Sequence, residues 1–107
     1  MTFDAKLQVV DRVAMIRLVG ELDARSAPRF NELVGEAAGS DVDQLVLIAD
    51  HLTYMSSAGL RCLVFAHQKM PDAVRITVIG AQPQVAETIR LVGFDHSIVL
   101  QEAGGPR

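Results

Sequence analysis

One cysteine, Cys62, is all the thiol chemistry in the 107-residue chain. It has no internal partner for a disulfide, which fits a reducing compartment. Basic residues are few and scattered: ten Lys and Arg against thirteen Asp and Glu leave a net charge of −3, with no Lys/Arg cluster. That argues against a nucleic-acid or anionic-membrane surface and favours a protein or small-ligand partner. Long hydrophobic runs are missing too. Leu45–Ala49 and Cys62–Ala66 fall far short of the roughly 20 apolar residues that span a bilayer. Asp4 and Lys6 break any signal-peptide h-region near the start. The expectation is a cytoplasmic protein, with no membrane or nucleic acid as partner.

The motifs of common catalysts are likewise absent. There is no Gly-x-x-x-x-Gly-Lys-Ser/Thr phosphate loop and no Gly-x-Ser-x-Gly elbow, and nothing beyond proximity in the chain makes Glu21 and Asp23 a catalytic pair. His51, His67 and His96 lack metal-ligand spacing and have no paired cysteine or acidic cluster beside them. No catalytic residue, cofactor or metal is expected.

What is present is a composition that is half apolar, enough for one domain with a single core but not for two. Phe3, Ala5, Leu7 and Val9 alternate with Asp4, Lys6 and Gln8, the period of a half-buried strand. Val13 to Val19 alternates as well, and the pair reads as an antiparallel hairpin around Asp11-Arg12. Gly20 to Asp23 reads as a loop. Ser26 followed by Pro28 marks a helix start, with Ala27, Phe30, Val34 and Ala37 inward and Arg25, Arg29, Glu32 and Glu36 solvated.

Leu45 to Ala49 is an uninterrupted apolar run, expected of a central strand covered on both faces, and Asp50 to Met55 reads as the loop after it. A second helix follows and ends near Pro71. Val74, Ile76 and Val78 mark a strand closed by Gly80. Pro83 opens a third helix with Val85, Ile89 and Val92 inward, and Gly93 stands where a left-handed residue ends such a helix. Ser97 to Leu100 suits a short last strand. The order strand, strand, helix, strand, helix, strand, helix, strand implies a mixed α/β sheet of four to five strands, an N-terminal β-hairpin and packed helices.

The chain turns on the stretch Leu52 to Leu60, where small hydroxyl residues stand at a loop-to-helix junction. At about 100° per residue, Gly59, Leu60, Leu63, Ala66 and Met70 share the core side of the second helix, with Cys62 toward it. Ser57, Arg61, Val64 and Gln68 share the opposite side, with Ala58 and Phe65 beside them. A face so poor in charge is either covered by another part of the domain or held ready for a partner.

Three motifs in order, Leu18-Val19-Gly20-Glu21-Leu22-Asp23, Tyr54-Met55-Ser56-Ser57-Ala58-Gly59-Leu60-Arg61 and Leu91-Val92-Gly93-Phe94, make the chain resemble a STAS domain. More narrowly, it is similar to stand-alone bacterial anti-sigma factor antagonists. The resemblance implies a STAS fold over residues 1–101 and a flexible tail at 102–107. It also implies a function: the unphosphorylated protein binds an anti-sigma factor serine kinase and frees the sigma factor, phosphorylation blocks that binding, and a PP2C-type phosphatase reverses it. Such a protein is a kinase substrate, not an enzyme.

Family alignment places the phosphorylated serine at Ser57, with Ser56, which stands where the family often has aspartate, as the alternative acceptor. Ala58 stands where the family has a second hydroxyl. The partner surface implied by the resemblance comprises Glu21, Asp23, Met55, Ser56, Ser57, Ala58, Arg61, Val64 and Phe65. The other use of such a domain is as a STAS subunit of a larger assembly, a lipid-transport ATPase complex or a stressosome-like particle, without sigma-factor control.

Overall fold

A computed structural model of the chain describes residues 3–102. The elements run β1 (Asp4–Val10), β2 (Val13–Leu22), α1 (Ala27–Ala38), β3 (Gln44–Met55), α2 (Ser57–Lys69), β4 (Arg75–Ala81), α3 (Pro83–Leu91) and β5 (Val99–Glu102). They form a mixed five-stranded sheet in the order β1-β2-β3-β4-β5. The β1–β2 pair is antiparallel and every later pair is parallel.

This order decides where the helices go. Each helix links a strand to its parallel neighbour, and every crossover steps in the same direction across the sheet. Right-handed connections then place all three helices on one face. Burial agrees. Along β2, Ala14, Ile16, Leu18 and Leu22 are buried while Arg17 and Val19 are exposed, and along β3, Leu45, Leu47 and Ala49 are buried between half-buried Val46 and Ile48. The expectation that Leu45–Ala49 is covered on both faces is therefore corrected: its apolar run has one dry side and one open side.

The core lies between that dry side and the helices. Phe30, Leu33, Val34 and Ala37 come from α1, Cys62, Leu63 and Ala66 from α2, and Val85, Ala86 and Ile89 from α3. The Asp11-Arg12 turn of the hairpin has φ values of 51° and 67°. This is the paired positive φ of a type I′ turn, whose twist suits the flanking strands. Without a glycine, the turn is braced from outside: Arg12 reaches Asp41 at 2.8 Å and Asp43 at 3.4 Å before β3, and the Asp43 N–H donates to the Arg12 carbonyl. These two carboxylates hold the Arg12 guanidinium above its ordinary pKa, the Asp43 hydrogen bond contributing most.

Several expected boundaries move. Gly20 to Leu22 belongs to β2 and Asp50 to Met55 to β3, since Gly20 pairs with Leu52, Glu21 with Tyr54 and Leu22 with Met55 across irregular register shifts. Val9 is exposed rather than inward, because it lies at the hairpin's free end. Val92 is 59% exposed, since α3 stops at Leu91 before the helical period can carry it to the core. Gly93 adopts φ 75°, the left-handed stop expected there. The last strand is shifted to Val99–Glu102, so Glu102 is a sheet residue that pairs with Ala81 and forms an ion pair with Arg90. The rest of the expected tail, 103–107, lies outside the described residues. No helix among the described residues is long and apolar enough to cross a membrane.

Candidate functional site

The ends of β2 and β3 stand side by side, and each hands over to a helix. At the β3 end, Ser56 is the N-cap of α2 with extended backbone, φ −84° and ψ 178°. Its hydroxyl accepts from the Gly59 N–H at 3.3 Å and donates to the Leu22 carbonyl at 3.5 Å. Its own N–H donates to that same carbonyl at 3.0 Å. Ser56 is therefore occupied as a cap and as the tie between α2 and the end of β2.

Ser57 is the first helical residue and is exposed. Its hydroxyl has no hydrogen-bond partner among the described residues. It stands where the first N–H groups of a helix lack internal acceptors and the helix dipole is positive, and the first turn of α2 contains no acidic residue. The geometry tolerates a negative charge here.

Gly59 sets how close α2 can come. A Cβ on it would lie 2.4 Å from the Leu22 carbonyl oxygen and 3.0 Å from Met55 Cγ, contacts no side chain could keep. Glycine in the first turn lets the helix dock directly on β2, and this fixes where Ser57 points. A glycine placed inside an amphipathic helix pattern is the sequence signal for such an approach.

At the β2 end the Asp23 carboxylate accepts from the N–H groups of Arg25 at 3.0 Å and Ser26 at 3.3 Å. Partial desolvation pushes its pKa up, but these hydrogen bonds and the Arg25 charge together outweigh it and leave the group below its ordinary value. Ser26 stands at the start of α1 as expected, but its side chain turns backward. It accepts from the Asp23 N–H at 2.9 Å and donates to the Glu21 carbonyl at 2.8 Å instead of capping its own helix. Asp23 and Ser26 thus brace the loop, a role of Ser26 that the cap motif concealed.

The remaining candidates divide by accessibility. Arg61, Val64 and Phe65 are exposed on the outward face of α2 with Ser57, as the helical wheel indicates. Ala58 is half-buried. Met55 is 5% exposed and packs in the core, so its place in the expected contact surface is corrected: it lies beneath the site and supports Gly59. Glu21 and Asp23 line one surface hollow with Phe3, Arg25 and Arg29.

A second hollow, of about 390 Å³, runs between the helices, with Ala27, Pro28 and Asn31 facing Ala58, Arg61 and Phe65. The α1 half of this wall was not apparent from the sequence, because only tertiary packing brings α1 against α2. Cys62 lines its floor at 2% exposure, its thiol donating to the Ala58 carbonyl. Burial raises the thiol pKa against the opposing charge of Arg61, so Cys62 is a packing residue. Arg61 makes no ion pair among the described residues.

Comparison with known proteins identifies the family and the fold. The family model described as the STAS domain matches residues 4–103. An anti-sigma-F factor antagonist, RsfB, of Mycobacterium tuberculosis is 26% identical over 88 residues, covering 82% of this chain and 72% of that protein. Among solved structures, an anti-sigma factor antagonist from Mycobacterium paratuberculosis superposes with a TM-score of 0.85 at 22% identity, covering 92% of this chain and 85% of the other. The Bacillus cell fate determinant SpoIIAA in its phosphorylated form gives 0.72 at 19% identity, with 94% of each chain covered. At such identities the structural likeness speaks to the fold.

Proposed function

The chain belongs to the STAS domain family, and on that premise we propose that it is an anti-sigma factor antagonist switched by phosphorylation at Ser57. The unphosphorylated protein binds an anti-sigma factor serine kinase through the N-terminal face of α2 and so frees the sigma factor. A PP2C-type phosphatase restores the binding form. The protein acts by occupying a partner, not by catalysis. The names of its relatives support the role, and the SpoIIAA structure in its phosphorylated form supports the switch.

The observation that carries the choice of serine is the division of labour between two neighbours. The Ser56 hydroxyl is committed to Gly59 and Leu22, whereas the Ser57 hydroxyl is exposed and has no hydrogen-bond partner among the described residues. A kinase can reach Ser57 without dismantling the helix cap. Phosphate there adds about −1.5 to −2 charges at a position the helix N-terminus tolerates, so the domain keeps its fold.

Binding fails for a different reason. A partner packed on Val64 and Phe65 would have to desolvate a dianion for which it holds no counter-charge, at several kcal/mol. A loss of ~4 kcal/mol weakens affinity roughly a thousandfold. Arg61, one turn further along the same face, is assigned to the partner contact.

The test is direct. The kinase and ATP should add one phosphate, mapped by mass spectrometry to Ser57, and calorimetry should show Ser57→Ala binding the kinase while Ser57→Asp does not. Phosphate on Ser56 would sink the site assignment, and equal binding by all three proteins would sink the switch.

A further inference from the structure

The hollow between α1 and α2 is a helix seam that has not closed. On each side its lining residues fall at i, i+3, i+4 and i+7, from Ala24 to Asn31 and from Ala58 to Phe65, the spacing of one helix face. Two such stripes set against each other ordinarily interdigitate. Here the α1 side offers alanine and proline down to Asn31, and the α2 side begins with Ala58, so the side chains are too short to meet and about 390 Å³ stays open.

Two polar groups in this apolar seam lack what they bind. Asn31 Oδ1 is buried without a hydrogen-bond partner, and no other buried side-chain nitrogen or oxygen among the described residues is left so. Asn31 as a whole is half-buried, so its amide turns the oxygen inward and offers the NH2 end to the hollow. The opposite orientation would bury two orphaned donors in place of one orphaned acceptor. Across the seam, Arg61 is exposed and makes no ion pair among the described residues. The neighbouring arginines have acids of their own: Arg29 pairs with Glu32 at 2.6 Å, and Arg25 acts on Asp23. No acidic residue lines the hollow. It therefore presents side-chain N–H donors and one positive charge, set in apolar walls.

That chemistry selects an occupant. One guanidinium beside one amide matches a single carboxylate, bound by charge-assisted hydrogen bonds. Nucleic acids and anionic membranes are held by clusters of cations, and this hollow has one. The apolar walls match an aliphatic side chain next to that carboxylate, and Val64 and Phe65, 37% and 36% exposed, extend the apolar rim. A segment of a protein carries both groups.

We infer that a segment of the anti-sigma factor kinase seats an Asp or Glu on Arg61 and Asn31, with a neighbouring aliphatic side chain between Ala27, Ala58 and Phe65. The inference rests on the antagonist reading, which supplies the identity of the partner. It brings α1 into the contact and makes Asn31 and Arg61 the pair that selects the partner by charge. It also gives the phosphate a direct target. Ser57 lies one turn before Arg61 on the same face, so a charge there repels the incoming carboxylate and competes for its arginine.

Calorimetry with the kinase at several salt concentrations tests it. Arg61→Gln should weaken binding about tenfold and Arg61→Glu about a hundredfold, and the binding that Arg61→Gln retains should depend less on salt. Arg61 is exposed and unpaired among the described residues, so its variants keep the fold, which urea unfolding checks. Asn31→Asp sets a carboxylate of the chain's own against Arg61 and should weaken binding about tenfold. Among lysine substitutions of the kinase's acidic residues, one should restore binding to Arg61→Glu and lose it with the wild type. Arg61→Glu that binds like wild type overturns the inference, as does rescue by none of the kinase variants. So does a dimer of the chain, or binding to anionic lipid vesicles, that Arg61→Glu abolishes. If neither wild type nor Ser57→Ala binds the kinase, the antagonist reading itself fails and this occupant with it.

Discussion

Replacing Gly59 by alanine sets two forces of known size against each other. Helix propensity favours alanine over glycine by about 1 kcal/mol in a helix interior. Against it, the new Cβ would sit 2.4 Å from the Leu22 carbonyl oxygen, at least about 1 Å inside an ordinary contact. Relieving that overlap moves the first turn of α2 away from β2 and stretches the 3.0 Å bond from the Ser56 N–H to Leu22. Overpacking costs about 1–3 kcal/mol and losing a buried hydrogen bond about 1–3 kcal/mol. These are alternative outlets for one strain and do not add in full. The net expectation is a loss of about 1–2 kcal/mol, or about 4–15 °C in melting temperature for a domain of this size.

Gly35→Ala is the internal control. Gly35 lies within α1, and a Cβ there meets nothing within 4 Å, so the same substitution should stabilise by up to about 1 kcal/mol. Urea unfolding of the two variants beside wild type should give midpoint shifts of opposite sign with an unchanged m-value. If Gly59→Ala proved as stable as wild type, the close docking of α2 on β2 would be wrong, and with it the account of how Ser57 is aimed.

Two further expectations follow from local geometry. Gly80 has φ 73°, and a Cβ on it would lie 2.9 Å from Asp50 Cβ, so Gly80→Ala combines a left-handed penalty with a clash and should cost about 2–4 kcal/mol in urea unfolding. Asp23 has a lowered pKa, so its unfolded form binds a proton more readily than its folded form. Its contribution to stability is present above the unfolded carboxyl pKa of about 3.9 and is lost as pH falls through the lower folded value. Unfolding midpoints between pH 5 and pH 2 should therefore drop more steeply for wild type than for Asp23→Asn, and parallel curves would refute the bracing role of this carboxylate.

How much of this was legible along the chain depended on whether the governing physics was local. The hairpin alternation, the helix starts at Ser26-Pro28 and Pro83, the left-handed stop at Gly93 and the two sides of α2 all follow from backbone sterics and side-chain period over a few residues. Those features appear where expected. The ends of β2 and β3 do not follow that way. Gly20-Glu21-Leu22 and Asp50 to Met55 have loop-like composition, and they are strands only because each supplies the other's hydrogen-bond partners across an irregular register. Met55 looked available beside the serines, and its burial comes from the same pairing.

The stretch Ser56-Ser57-Ala58-Gly59 shows the boundary most clearly. Sequence alone determined that a hydroxyl-rich helix start lies here with Arg61 and Val64 on the outward face, because capping chemistry and the helical period are local properties. Only the tertiary structure decided which hydroxyl is spent and which is free, since that depends on the carbonyl of Leu22, 34 residues away in the chain, standing within reach of Ser56 and out of reach of Ser57. Tertiary structure also decided that one side of the sheet stays bare. The apolar run Leu45–Ala49 reads the same whether one face is covered or two, and the direction in which successive crossovers step is a property of the whole sheet.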